Sequence, residues 1–415
     1  MQIKTYNVSN TPVHIIQTKQ FKTMNIVLRF FDALDAKTVT ARHLMLMMLI
    51  AKNTKFETRQ ALSRHLESLY DTHLHAQSMK LGKKHVNQVS LSFPNPSLVN
   101  NGLLDDVFSF LKTLLFNPQF DAKILREEKQ FLKAYFKAEY SNKTRYAAKR
   151  YFEHLYKDHP YNINALGIEE AIDDVTLSDI EAAYHSMIHD NAMIFSVTGD
   201  VAASDVIPYI ETLTFSDKRV PKDLFIKHDF KKADDVKETM ELSQDRLFIG
   251  LQSNVYYNDA DYYALNVMNT LFGEGSDSLL FDKVREQNSL AYYVHSSYAP
   301  FSSLITVVSG MDSKNIDKGK ALILETLKEI QDNQFSKEAF DLAKQQRISS
   351  IKKSFDNIRN LSVKGLRHIL FDVPYGEKEA LEAINNIRRE DVIRVAKKCI
   401  PIFTYVLGSD HDAKN

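Results

Sequence analysis

Fourteen histidines and a single cysteine are the side chains here that could hold a metal or attack a substrate, and their spacing sorts them. His73 and His75 stand two apart in a stretch with strand character. Both imidazoles would leave one face, and with His65 and His85 near in sequence they could build a three-imidazole metal site. No carboxylate or closing partner accompanies them, so the same residues also read as a polar strand face. His185 and His189 lie one helical turn apart with Glu181 a turn earlier. That is zinc-ligand spacing, but on a mostly polar helix ahead of Asn191 a solvated face is the simpler reading. Met45, Met47 and Met48 are better gap fillers of a buried helix than soft-metal ligands. No Ser-His-Asp spacing is present, and Gly273-Glu274-Gly275 lacks the third glycine or the Lys-Ser/Thr of a phosphate or dinucleotide loop.

The elements that would position such groups follow a pattern of strands then helices, stated twice. Val13 to Ile16 and Met24 to Phe31 read as strands, and Thr38 to Lys52 as a helix apolar on nearly every side, which implies burial against that sheet. Glu57 to Tyr70 is an amphipathic helix, and His73 to Lys80 and His85 to Phe93 are paired strands about Gly82. Long helices are expected from Val99 to Leu115 and from Asp121 to Tyr156. Gln119-Phe120, His159-Pro160-Tyr161 and the strand Met193 to Asp200 then recur, about 214 residues later, as Gln334-Phe335, Val373-Pro374-Tyr375 and Phe403 to Asp410. Leu247 to Ser253 and Asp261 to Leu271 repeat the second strand and the buried helix. A period this long is duplication of a whole domain rather than a solenoid. The expected fold is α+β, two tandem homologous domains over residues 1–215 and 230–415, each a mainly antiparallel sheet with helices on one face. The charged, Pro-containing stretch 216–229 reads as their linker.

The 415 residues, 44% apolar, are enough for two cores. Fifty-three basic residues balance fifty-three acidic ones, so bulk charge recruits neither nucleic acid nor an anionic membrane. Cys399 has no partner for a disulfide. The longest apolar run, Leu44 to Ala51, is too short to span a bilayer, and the N-terminus lacks the apolar stretch of an export signal. A reducing cytoplasm is the expected location.

Three segments resemble the pitrilysin, insulinase and mitochondrial-processing-peptidase family of zinc peptidases, and the likeness runs through essentially the whole chain. Phe272 to Tyr292 is similar to the family's Gly-containing turn followed by an Arg and Tyr pair. His159-Pro160-Tyr161 is followed by Gly167, Ile172, Thr176, Asp179 and Val197-Thr198-Gly199-Asp200, in the family's order. Asn53-Thr54-Lys55 stands where the family has Gly-Thr-Lys after its metal helix. Active members carry His-x-x-Glu-His on that helix, two zinc ligands with a general base beside the second. Counting back from Thr54 puts Leu44, Met47 and Met48 at those positions, and the distal carboxylate position falls at about Arg126, beside Glu127 and Glu128. Leucine and methionine offer zinc no ligand, Met47 takes no proton, and an arginine repels a cation. A one-residue shift to His43 leaves Leu46 and Met47 where Glu and His are needed.

The resemblance implies that the other half of the site is kept. Arg285 and Tyr292 have the family's spacing of seven, Arg285 to hold a substrate carbonyl and Tyr292 to donate to the developing oxyanion of a peptide cleaved in a facing chain. Ser289 replaces the glycine usual before Leu-Ala-Tyr. The implied molecule is a subunit without zinc, inactive alone, that pairs with a zinc-bearing homologue and enfolds unfolded or short peptides. Two copies of this chain are the alternative pairing when no partner is present. A pure scaffold and a hydrolase with a nonstandard metal site remain the other readings. The purified chain should carry no stoichiometric zinc by elemental analysis and cleave no peptide alone; one tightly held zinc per chain with chelator-sensitive proteolysis would contradict this.

Overall fold

The computed structural model describes residues 2–100, 102–216, 218–226, 234–371, 373 and 376–409. Pro374, Tyr375 and Asp410 of the repeat anchors lie outside these, as do Asp217 and 227–229 of the expected linker and the first residues, 230–233, of the second domain. The first half contains strands β1 (Gln2–Val8), β2 (Thr11–Gln17), β3 (Thr23–Ala33), β4 (His73–Leu81), β5 (Lys84–Pro94) and β6 (Ala192–Gly199), ordered β1-β2-β6-β3-β5-β4. All pairs are antiparallel except β2 with β6. Alternation along β3 sends Met24, Ile26, Leu28 and Phe30 to one face. There they meet α1 (Val39–Leu49), α3 (Leu103–Phe116) and α4 (Ala122–Ser141), while α2 (Arg59–Ser68) contributes only Leu62 to the core.

The long helix expected from Asp121 to Tyr156 is broken. Asn142 leaves the helical conformation and its side-chain oxygen accepts from Arg145 N at 3.1 Å, so α4 ends and α5 (Lys143–Leu155) begins with a fresh cap. Likewise the helix expected from Val99 starts only at Leu103, after Asn95 caps the single turn Pro96–Val99. The helix α6 (Leu177–His189) starts with a capping box between Thr176 and Asp179.

The second half repeats the plan with β7 (Val236–Met240), β8 (Asp245–Gln252), β9 (Ala291–Ala299), β10 (Leu304–Met311) and β11 (Ile400–Ser409), ordered β7-β11-β8-β10-β9. Its helices include α7 (Tyr262–Phe272), a π-helix Phe281–Gln287, α8 (Ile316–Gln331), α9 (Lys337–Phe355) and α10 (Ile358–Phe371). The compact units do not follow the sequence halves. One unit comprises Met1–Ala138, His159–Leu224 and Ser354–Tyr375; the other comprises Glu139–Asp158, Phe225–Lys353 and Gly376–Asn415. Thus α5, from the first half, belongs with the second sheet, and α10, from the second half, with the first.

Each exchanged helix is seated by close packing. Tyr151 on α5 is fully buried, stacked on Phe248 and Phe403 with centroids 5.2 and 5.7 Å apart. Its hydroxyl lies over Gly250, where an added Cβ would meet it at 2.6 Å. Nearby, Arg150 Nη2 donates to Glu238 Oε1 at 2.5 Å and Tyr405 Oη to Glu238 Oε2 at 2.8 Å, and the Arg150 guanidinium holds the Glu238 carboxyl down to about 2. On the face of the first sheet opposite α1, Gly365 of α10 comes so near Ile16 and Ile3 that a Cβ would sit 2.8 Å from the Ile16 side chain. There the buried Arg29 guanidinium donates to Gln88 at 2.8 Å and to Ser362 at 3.2 Å.

The described part of the 216–229 stretch is tied down. Lys218 N donates to Asn10 O, Met193 N to Arg219 O and Lys83 N to Leu224 O. Gly82 sits at φ 56°, with Leu224 O where its Cβ would be. Three buried histidines, His14, His43 and His85, are held neutral mainly by burial, at about 4, 4 and 3, with Arg42 further lowering His85. Because these folded values lie below the unfolded value near 6.5, their contribution to stability is complete above that pH. It is lost as pH falls through 6.5 towards 4, ahead of the carboxylates. Urea midpoints should therefore fall steadily between pH 7 and 4.5, and His43→Gln should flatten part of that slope; midpoints constant over this range would contradict the assignment.

Candidate functional site

The helix that would carry zinc ligands is now core. Leu44 and Met48 are fully buried among the apolar residues of α1 and the sheet, and Met47 is half-buried. The polar residues of α1 are spent on structure. Arg42 pairs with Asp32 and donates to His85 Nδ1 and Asn191 Oδ1, both at 3.0 Å, while His43 Nδ1 lies 3.0 Å from Ser78 Oγ. Beyond the helix, the buried Asn53 Oδ1 accepts from Lys55 N and Phe56 N, and Lys52 pairs with Asp121 at the start of α4. These contacts anchor the end of the helix and leave no polar group of the segment directed at an ion.

The distal position needs correction. Arg126 lies on the exposed side of α4, so it does not stand over a metal site. The inward side carries Ile124, Leu125, Glu128 and Leu132, and the buried Glu128 carboxylate is engaged by Arg59 of α2. The apolar spacing of α4 contained that phase; counting along the alignment did not. With two apolar side chains in the core and the one inward carboxylate bound to a guanidinium, these residues do not fit zinc.

The other histidine candidates do not converge. His73 and His75 are exposed, His65 stacks on Phe56 with centroids 4.3 Å apart, and His85 lies between Arg42 and Ala165 O. His185 and His189 are exposed, with their rings tilted against each other at 4.4 Å, and His189 Nδ1 lies 3.0 Å from Ser216 Oγ. Among the described residues no group of three or more His, Cys, Asp or Glu side chains is arranged to hold a metal ion.

Arg285 and Tyr292 do come together. They line one cleft of about 410 Å³ with Glu286, Ser289, Leu290, Ala291 and Asp312. Arg285 sits on the π-helix, whose extra residue per turn shifts side-chain direction within a short span. Its guanidinium rests over the Phe281 ring at 4.6 Å, with Nε 3.6 Å from Glu286. Tyr292 is the second residue of β9, 53% exposed, and its hydroxyl donates to Asp312 Oδ1 at 3.1 Å. That hydrogen bond raises the phenol above its usual range, so it stays protonated and able to donate. Between the two, Ser289 N donates to Arg285 O and Leu290 N to Val284 O, closing the helix into the strand. Asp312 was not singled out in the sequence. Its signal is the β9–β10 pairing, which sets Met311 opposite Ala291 and so brings Asp312 beside Tyr292.

With this geometry in hand, comparison with known proteins is informative. A family profile described as the peptidase M16 inactive domain matches residues 174–347, which include Arg285 and Tyr292. The chain is similar to M16 peptidase homologues described as inactive. It is 29% identical over 409 residues to the probable inactive metalloprotease YmfF of Bacillus subtilis strain 168, covering 96% of each chain. A conserved protein from Enterococcus faecalis V583 superposes with a TM-score of 0.92 at 25% identity, over 99% of both chains. A peptidase M16 inactive domain from Pseudomonas fluorescens shares the fold, with a TM-score of 0.85 at 18% identity over 99% of this chain and 98% of that one.

Ser289 explains one departure from the motif. Its φ is 51°, the left-handed region in which a side chain is strained and glycine is not. Ser289→Gly should therefore leave the fold intact and raise stability by up to about 1 kcal/mol, whereas Ser289→Val should lower it by roughly 1–3 kcal/mol. Thermal unfolding of the pair checks the sign.

Proposed function

We propose that this chain is the inactive subunit of a two-chain peptidase, lending Arg285 and Tyr292 to peptides cleaved by a zinc-bearing homologue. The observation that carries the reading is the shared cleft: a cation and a phenol at the motif's spacing line one open space, while the metal positions of the same chain are packed shut. A guanidinium with its fork only loosely engaged can take a carbonyl oxygen, and an exposed phenol can donate to an oxygen that gains charge.

The substrates proposed are unfolded or short peptides. Within its sheet β9 is an end strand, hydrogen-bonded to β10 on one side, and an extended chain could add to its other side. Restriction to such chains needs no side-chain code, since the backbone supplies the hydrogen bonds. The compartment proposed is a reducing one, in keeping with the lone, buried thiol of Cys399, which burial pushes up to about 12 and so makes unreactive. No helix among the described residues is long and apolar enough to cross a membrane.

The test is reconstitution with a zinc-bearing homologue from the same genome. The mixture should cleave an unfolded protein such as casein when neither chain does alone. Tyr292→Phe should lower kcat by about 10²-fold, and Arg285→Ala should raise KM as well, with co-elution of the two chains unchanged. A mixed complex indifferent to both substitutions would leave this chain as scaffold.

A further inference from the structure

A phenol owns one O–H, and in this chain Tyr292 has already given it to Asp312. For Tyr292 to serve a ligand that bond must open, and opening it leaves a carboxylate oxygen without its donor. A ligand oxygen alone cannot repair that loss. A ligand that presents an N–H together with an oxygen can.

We propose that Asp312 and Tyr292 form a two-point clamp for one extended residue of a bound peptide, Asp312 accepting its N–H and Tyr292 donating to its carbonyl oxygen. The N–H and C=O of one extended residue point to the same side of the strand, which is why a residue in an antiparallel sheet can exchange both bonds with one partner. Tyr292 Oη and Asp312 Oδ1, 3.1 Å apart, offer the matching acceptor and donor side by side. Insertion of the residue replaces one hydrogen bond by two, one of them an N–H donated to a carboxylate, which belongs to the stronger class.

The surrounding backbone aims the pair. Asp312 directly follows β10, where Gly310 faces Tyr293 and Met311 faces Ala291, so Tyr292 is the extra, unpaired residue of a bulge in β9 and its side chain is re-aimed beside Asp312. The carboxylates of Asp312 and Glu286 share the cleft with Arg285. A terminal carboxylate at the clamp would face Asp312 directly, so the chemistry favours an internal residue, and proline, with no N–H, is excluded. Asp312 is in this way a binding and specificity residue that the Arg and Tyr motif does not contain. The proposal rests on the peptide-cleaving reading above.

The test uses the full chain in complex with its zinc-bearing homologue and a short internally quenched peptide that the complex cleaves, together with the set of singly N-methylated versions of that peptide. With the wild-type chain, N-methylation at one internal position should cut kcat/KM at least about tenfold through the lost bond to Asp312. With Asp312→Ala, turnover of the parent peptide should fall, and methylation at that position should cost nothing further; penalties arising on the partner persist in both and cancel. Asp312→Asn, which keeps size and an acceptor oxygen, should lie between, and it serves if the alanine variant fails to fold. The same penalty at every position in wild type and Asp312→Ala overturns the clamp, as does the absence of any sensitive position. If Tyr292→Phe slows turnover while Asp312→Ala does not, the clamp alone fails. If neither substitution changes turnover, the peptide-cleaving reading fails with it.

Discussion

The constraint on which the rest depends is the seating of α5 and α10. A sheet buried on one face still presents a second face rich in Val27, Phe31 and Ile194, or in Phe248 and Phe403, and each must be covered. The chain covers each with a helix from its other half, and close approach fixes both. Gly250 leaves room for the Tyr151 hydroxyl and Gly365 for the end of the Ile16 side chain, positions at which an added methyl group would require a shift. Polar groups then set the register, Arg29 on Ser362 in one unit and Arg150 on Glu238 in the other. Burying a guanidinium such as Arg29, whose pKa is drawn down to about 10 by desolvation, costs stability unless its donors are used, so any other seating of α10 is penalised.

The core helix α1 is built for an apolar surrounding and not for an ion. Ligands for zinc must be polar and open to the ion; Leu44 and Met48 are apolar and closed. The buried Glu128 carboxylate on α4 finds its counter-charge in Arg59. The cleft at Arg285 and Tyr292 is of another kind. It lies at the surface, contributes little to the core, and contains a strained Ser289 and a π-helix, features that cost stability and that packing does not require.

The sequence made the local features legible and the long-range ones not. A helix apolar all round had to be buried, and α1 is; alternation about Gly82 had to be a hairpin, and β4 and β5 pair across it. The proximity of Arg285 and Tyr292 followed from a short spacing across one turn. The Asp121–Tyr156 helix was misread because Asn142 is compatible with a helix surface as well as with a cap, and only the departure of α5 to another sheet decides between them. Counting from the motif points to Arg126, whereas helical phase puts Arg126 outside and Glu128 inside. The exchange of α5 and α10 carries no local signal at all, since each helix is amphipathic whichever sheet it meets. Asp312 depended on strand register, which a period-two pattern alone leaves free.

The passage of the chain between units at 138/139, 158/159, 224/225, 353/354 and 375/376 bears on synthesis as well as on architecture. During translation the first sheet can pair its strands once Gly199 has emerged, yet the face that carries Arg29 stays bare until Ile358–Phe371 follows, some 160 residues later. Through that interval Val27, Phe31 and Ile194 are exposed on a nearly finished domain, a surface that a chaperone would hold and that neighbouring nascent chains could share. The duplicated domains are therefore not independent beads on a string. Neither sequence half can complete its unit without a helix from the other, and a truncated product of either half would display an apolar sheet face in search of a helix.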